Sequence, residues 1–318
     1  MPYIYIAVSK SGAAAQVDKV DHPTAVRMLA SIGDVQMVGP SLGSFSVSAP
    51  FLDAIWQEFE AELEAKEGKM DTDPHFWMPM TLAAADYTKL MSQKNVDATV
   101  SSKHYARMAA FKDAFLAAQK SEGSKFGLFG AVDVGTDACW WDYGQLQKYF
   151  ANNMQLTEDS ESAGLLREFF GLSSRVVDSK LEGVTVDGAS CVFSSKISSG
   201  AVASSVVSSV TAGCVQIDGA LLINVSAKKI TAGKGSIVYN VKDESEEGIV
   251  VGEREVVCGI WGVDGTCVVV KSSQDIDGGQ AWKEIVKGNA KSFEGYHESN
   301  KDADVNAIEE AKVRAMAS

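Results

Sequence analysis

From Val184 to Val241 the chain is written almost entirely in Val, Ile, Ser, Ala and Gly, and this stretch limits the fold more than any other. Short related units recur within it. Val186-Asp187-Gly188-Ala189 matches Ile217-Asp218-Gly219-Ala220, and Ile197-Ser198-Ser199-Gly200 matches Val210-Thr211-Ala212-Gly213 and Ile230-Thr231-Ala232-Gly233. Branched apolar residues return every five or six positions, at Val186, Val192, Ile197, Val202 and Val207. Such spacing suits a β-solenoid: each short strand points a branched residue inward, small residues permit tight corners, and coils stack because no single coil buries its own face. A flexible Ser-rich linker would not carry regularly placed Val and Ile. A β-sandwich is the alternative architecture.

The residues before this stretch read as α/β. Residues 3–8 and Ala14–Val20 form a predicted hairpin, followed by a short helix over Thr24–Ile32. Gly43–Val47 reads as a strand. Ser48 is the predicted N-cap of a helix running to about Lys66, with Pro50 in its first turn and Phe51, Leu52, Ile55, Trp56, Phe59 and Leu63 on one face. Met70–Met80, with Pro74 and Pro79, reads as a loop. Helices are expected near Leu82–Gln93 and Lys103–Lys120, and a buried strand over Phe126–Val134. Shorter helices follow at Gln145–Asn153 and at Ser162–Phe170, the second stopped by Gly171. Val241–Lys271 continues as strands, with Lys242–Gly248 as an acidic insertion. Val305–Met316 reads as a terminal helix.

With 318 residues, 46% of them hydrophobic, the chain can bury a substantial core. A net charge of −13 argues against a broad nucleic-acid surface. The five cysteines, Cys139, Cys191, Cys214, Cys258 and Cys267, contain no Cys-x-x-Cys pair and read as small hydrophobes in a reducing compartment. The N-terminal Met1–Val8 lacks the basic and long apolar regions of a signal peptide. No segment approaches the roughly 20 apolar residues of a membrane helix. A soluble, cytoplasmic protein is expected.

The segment that invites chemistry is Trp140-Trp141-Asp142-Tyr143-Gly144, which leads from the predicted strand into a helix. A carboxylate on an aromatic-walled turn suits a magnesium–phosphate site. The competing roles are a buried aromatic anchor and an aspartate that caps the helix. Asp133, on the preceding segment, is either a second polar group of a cleft or a strand-end cap. Asp71, Asp73 and His75 share a proline loop but lack the converging ligands that a metal needs. His104 reads as exposed. No Ser-His-Asp or Cys-His arrangement supports nucleophilic catalysis. An acyltransferase built on a β-helix would need a positioned base, and Val184–Val241 contains no histidine.

Trp140-x-Asp142-x-Gly144, then Tyr149, then Asn153-x-x-Leu156, then the repeats, resembles the C-terminal part of sugar-phosphate nucleotidyltransferases, the NDP-sugar pyrophosphorylases of UDP-glucose pyrophosphorylase type. Val17-Asp18-Lys19-Val20-Asp21-His22-Pro23 resembles that family's Lys-Pro step, here interrupted. Leu42-Gly43-Ser44-Phe45-Ser46-Val47 resembles its glycine-led strand beside the sugar. Together these segments span about residues 3–241. The family's usual threonine after the glycine is Gln145 here.

The resemblance implies a partial nucleotidyltransferase-like, Rossmann-like α/β domain at 1–180, a left-handed parallel β-helix at 181–271 and a polar, partly helical tail at 272–318. It implies Mg²⁺ at Asp142 and catalytic roles for Lys19 and Asp142. Gly43, Asp133 and Trp140 would bind substrate. The expected partners are a sugar 1-phosphate and a nucleoside triphosphate, with homo-oligomerisation through the β-helix and neither nucleic acid nor membrane. Residues 1–40 contain no glycine-rich phosphate loop. The chain is therefore expected to be a fragment or, alternatively, a non-catalytic sugar-phosphate-binding or assembly subunit.

Overall fold

The computed structural model describes residues 5–10, 14–17, 22–30, 33–65, 73–121, 128–135, 140–276 and 282–317. The chain is mixed α/β and divides into two compact units, Met1–Ala138 and Cys139–Ser318. Among the described residues, no helix is long and apolar enough to cross a membrane.

The first unit holds a three-stranded sheet of β1 (Tyr5–Ser9), β2 (Ala14–Val17) and β3 (Val35–Pro40), in the order β2-β1-β3. Both pairings are antiparallel, with Ala7 opposite Ala15 on one side and Val38 on the other. The expected hairpin is present. The parallel sheet of a Rossmann-like domain is not found among the described residues. α1 (His22–Leu29) supplies Ala25, Met28 and Leu29 to a core shared with Ala7 and Ala15.

α2 (Ala49–Glu58) starts at Ser48, whose Oγ accepts the Phe51 N–H, as its sequence signature requires. The helix breaks at Phe59, so Glu60–Ala65 is a separate short helix, α3. Phe51 and Phe59 are buried, but Leu52 and Trp56 of the same predicted apolar face stay exposed. The Met70–Met80 loop is corrected over its described part, residues 70–72 lying outside it: Asp73–Trp77 is a π-helical turn and Met78–Thr81 is α4. Pro79 lies in the first turn of α4, where no N–H is needed, and Met78 and Met80 are buried. α5 (Ala84–Gln93) and α6 (Ala98–Ser121) complete this unit. Phe51, Phe59, Phe76, Met80 and Met108 form its second core.

The second unit contains a parallel β-solenoid of about 6 turns. One face stacks β4 (Val176–Val177), β7 (Cys191–Phe193), the start of β10 (Val206–Asp218), the start of β11 (Leu221–Ala232), β12 (Ile237–Tyr239) and β15 (Glu255–Trp261). The second face stacks β5 (Lys180–Leu181), β8 (Lys196–Ile197), the middles of β10 and β11, and β13 (Lys242–Asp243). The third stacks β6 (Val184–Val186), β9 (Gly200–Ala203), the ends of β10 and β11, and β14 (Ile249–Val251).

In the middle of the stack Cys191 lies beside Val206 and Val206 beside Leu221, a step of 15 residues, or five per face. Every fifth residue from Val192 through Ile197, Val202 and Val207 to Ala232 is accordingly buried and apolar. The step widens to 19 residues, Ile230 to Ile249, where the acidic insertion loops out.

The corners explain the polar part of the composition. Asp178, Ser194, Ser209, Asn224 and Asn240 occupy one corner in successive coils, all with positive φ. Short polar side chains tolerate that conformation better than branched ones. Asn224 Nδ2 donates to Asn240 Oδ1 at 2.6 Å, so this corner is also bonded from coil to coil. Past the corners, buried serines continue the ladder. Ser205 Oγ donates to Ala203 O at 2.5 Å and accepts the Ala220 N–H of the next coil at 3.0 Å. Ser195 and Ser190 do the same for Val210 and Ser205. The serines are structural donors and acceptors of the stack.

The stack ends where β16 (Cys267–Ser273) returns antiparallel on β15, Trp261 opposite Cys267. Asn289 bonds the Lys271 backbone at 2.7 and 2.8 Å, covering part of the outer side of β16. Two tail helices follow, α9 (Phe293–Asn300) and α10 (Val305–Ala317), the second close to its expected range and the first not anticipated.

Candidate functional site

The Trp-Asp turn belongs to the solenoid unit, and the solenoid dictates its surroundings. On the first face Cys191, Val206, Leu221, Ile237 and Val256 point outward yet are buried. They are covered by the segment that carries the turn. Trp141, Tyr149 and Phe150 pack on this apolar stripe together with Leu156 and Leu166. These residues come from α7 (Leu146–Met154), a 3₁₀ turn (Gln155–Thr157) and α8 (Glu161–Phe169). Residues 140–172 thus pack against the β-helix that follows them. Gln147 Nε2 adds a bond to the Gln274 carbonyl at 2.7 Å, tying α7 to the end of the stack. Arg175 ties the 3₁₀ turn to the second coil, donating to Leu156 O and Ala189 O at 2.7 and 2.9 Å.

The two tryptophans divide their roles. Trp141 is half-buried, lies tilted against Phe169 with ring centres 6.0 Å apart and donates from Nε1 to Gln155 Oε1 at 3.2 Å. Trp140 is 49% exposed. Tyr149 meets Tyr143 and Tyr239 edge-on, and burial pushes its hydroxyl up to about 12.

Asp142 stands at the centre of the turn. Its Oδ1 accepts the Gly144 N–H at 2.8 Å, its Oδ2 pairs with Lys148 Nζ, and its carbonyl accepts Asn152 Nδ2 at 2.7 Å. The Lys148 ammonium, aided by the Gly144 N–H, holds the carboxyl below the usual range. It is therefore ionised at neutral pH and is no proton donor there. Asp142 organises the turn before α7, whose N-cap Gln145 has no side-chain cap of its own.

Asp142 and Trp140 share this turn, while the other expected site residues have different settings. Lys19 lies outside the described residues, as do Cys139 and Asp71. Gly43 is in a loop of the first unit and not in a strand. Its φ of 73° needs glycine, and its N–H donates to Ser41 Oγ. Asp133 lies in an irregular segment where the strand over Phe126–Val134 was expected, residues 126 and 127 being outside the described ones. It accepts the Gly135 N–H at 2.9 Å, an Asx turn. No hydrogen bond or ion pair among the described residues joins Asp133 to Gly43. His104, expected to be exposed, is instead half-buried, with Nε2 2.7 Å from His75 O.

Lys148 and Asn152 are the residues that sequence reasoning missed. Both lie on α7, and the helix folding back over the turn brings them to Asp142. The residues present do not by themselves make a magnesium site. Both Asp142 oxygens are engaged, Lys148 supplies the local positive charge, and no group of three or more His, Cys, Asp or Glu could hold a metal among the described residues. The arrangement offers a carboxylate and an ammonium at a half-exposed turn, which suits binding of a phosphate by Lys148 once it leaves Asp142.

Comparison with protein-family models, with curated proteins and with solved structures finds no match to this chain.

Proposed function

We propose that the chain is a sugar-1-phosphate nucleotidyltransferase-type protein, forming an NDP-sugar and pyrophosphate from a nucleoside triphosphate and a hexose 1-phosphate, with a UDP-sugar favoured. The observation that carries the reading is the sequence of parts. The Trp140-x-Asp142-x-Gly144 turn runs into α7, and α7 lies on a parallel β-solenoid. In this reaction an oxygen of the sugar phosphate attacks the α-phosphorus and pyrophosphate leaves. The protein's part is alignment and neutralisation of charge. In this reading Asp142 holds Lys148 at the turn until a phosphate arrives, Lys148 then leaves Asp142 for the phosphate, and the exposed Trp140 lies beside the sugar. Magnesium would come with the triphosphate.

The test is pyrophosphate release from UTP and glucose 1-phosphate in the presence of Mg²⁺, together with calorimetric titration of glucose 1-phosphate alone. Turnover that falls at least about tenfold in Lys148→Ala supports the proposal. The absence of both turnover and binding overturns it.

One observation favours a second reading, a non-catalytic subunit: both carboxylate oxygens and the carbonyl of Asp142 already serve the turn. Binding of glucose 1-phosphate without turnover would select that reading.

A further inference from the structure

The two ends of the solenoid are unlike. At the far end the first face is closed by the antiparallel return of β16, whereas among the described residues β4, β5 and β6 of the first coil pair only inward, with β7, β8 and β9. The core shows at this end. Val176 is 42% exposed, although its neighbour Val192 in the next coil is buried. Leu181, Val184 and Val186 are only partly buried, and they too contact the core.

Backbone bonds fix which peptide groups face outward. Lys180 and Glu182 donate inward to Ser195 O and Ile197 O at 2.8 and 2.9 Å, so Leu181 between them presents its N–H and C=O to the open edge. Arg175 O and Val177 O accept from Val192 and Ser194, which turns Val176 outward. Gly183 O accepts from Gly200 and Asp187 N–H donates to Val202, which turns Val184 and Val186 outward. The Val176 carbonyl also accepts Ser174 Oγ at 2.6 Å and keeps a second lone pair.

We propose that this edge binds a second copy of the chain, first coil to first coil, about a two-fold axis at Leu181. An isologous contact is the closed solution, because β16 already occupies the β15 edge that head-to-tail stacking would need on the first face. One axis satisfies all three faces. Leu181 meets Leu181 of the second copy, and Val176 meets Val186. In each pair the peptide groups are those already turned outward, and the side chains point toward the core.

The same axis places Lys180 opposite Glu182. These two are 73% and 60% exposed and pair with each other within one chain at 2.8 Å. Across the axis each faces the opposite charge of the second copy, so the pair occurs twice. The contact would extend the parallel stack by an antiparallel pair of coils and cover the open end of the core. It rests on the solenoid alone and holds under either functional reading.

Light scattering after size exclusion on the full chain, at micromolar concentration, should give twice the chain mass. Lys180→Glu alone and Glu182→Lys alone each set like charges opposite, and each should weaken the dimer at least about tenfold. An equimolar mixture of the two variants restores opposite charges at both positions and should return the dimer. A monomeric wild-type chain overturns the proposal. So does a dimer indifferent to both charge reversals, or two monomeric variants that fail to associate when mixed.

Discussion

Asp142 and Lys148 close an ion pair across the turn that enters α7, and the pair fixes the carboxylate that the sequence marks for a metal–phosphate site. Both side chains are less than a third exposed. The folded carboxyl titrates below its unfolded value of about 3.9. Its contribution is therefore complete above that value and is lost as pH falls through the lower folded pKa. Asp142→Asn should cost about 1 kcal/mol at pH 7 and nothing once pH lies below the folded value, as measured by urea unfolding at both pH values. An equal loss at both would refute a charge-based role.

Trp141 and Trp140 are adjacent but should behave differently. Trp141 packs on the apolar stripe of the first face and hydrogen-bonds Gln155, so Trp141→Ala leaves a gap between α7 and the solenoid. A loss of about 2–4 kcal/mol is expected, read as a drop in thermal midpoint. Trp140→Ala, at an exposed position, should cost less than about 1 kcal/mol while removing the proposed sugar contact. Equal destabilisation by the two would mean that the turn does not clasp the solenoid through Trp141.

The solenoid was legible because its rule is local. One inward branched residue every five positions, with small residues at the corners, is readable without knowing which strand pairs with which. The Ser content became intelligible only with the coils in place, since Ser205 bonds Ala220 fifteen residues away. The first unit was less legible. Gly43–Val47 alternates as a strand does, yet Gly43 adopts positive φ and the segment ends in the Ser48 cap, so it forms a loop. Pro74 and Pro79 suggested a loop, but the buried Met78 and Met80 draw the segment into a helix. Trp141 as an anchor was one of the two readings available from sequence. Lys148 was not identified, because its bond to Asp142 depends on α7 folding back over the turn.

Ser205 tests the ladder directly. It is fully buried and its hydroxyl serves a carbonyl of one coil and an N–H of the next. Ser205→Ala leaves the Ala220 N–H unsatisfied in the core, while the Ala203 carbonyl keeps the Gly219 N–H, and should cost about 1–3 kcal/mol. Ser198→Ala, on an exposed corner, should stay within about 0.5 kcal/mol. Equal urea midpoints for the two variants would show that buried hydroxyls do not hold the coils together.

Gly200 limits how closely the coils can be stacked. Its φ is 117°, a conformation that side-chain-bearing residues rarely adopt, and its N–H donates to Gly183 O of the first coil. A Cβ at this position would overlap the Val215 carbonyl and lie 2.9 Å from the Val215 nitrogen, both rigid backbone of the third coil. Neither strand can move without breaking the ladder on its other side. Gly200→Ala should therefore cost at least about 3 kcal/mol, through backbone strain and lost coil pairing together. Gly188 has open space where its Cβ would lie and no positive φ, so Gly188→Ala should leave stability nearly unchanged. Amide hydrogen exchange locates the effect. Loss of protection in Gly200→Ala should appear first in the first three coils, around Val184–Val186, Gly200–Ala203 and the end of β10. Uniform loss across β12 and β15 would instead mean that the solenoid unfolds as one unit.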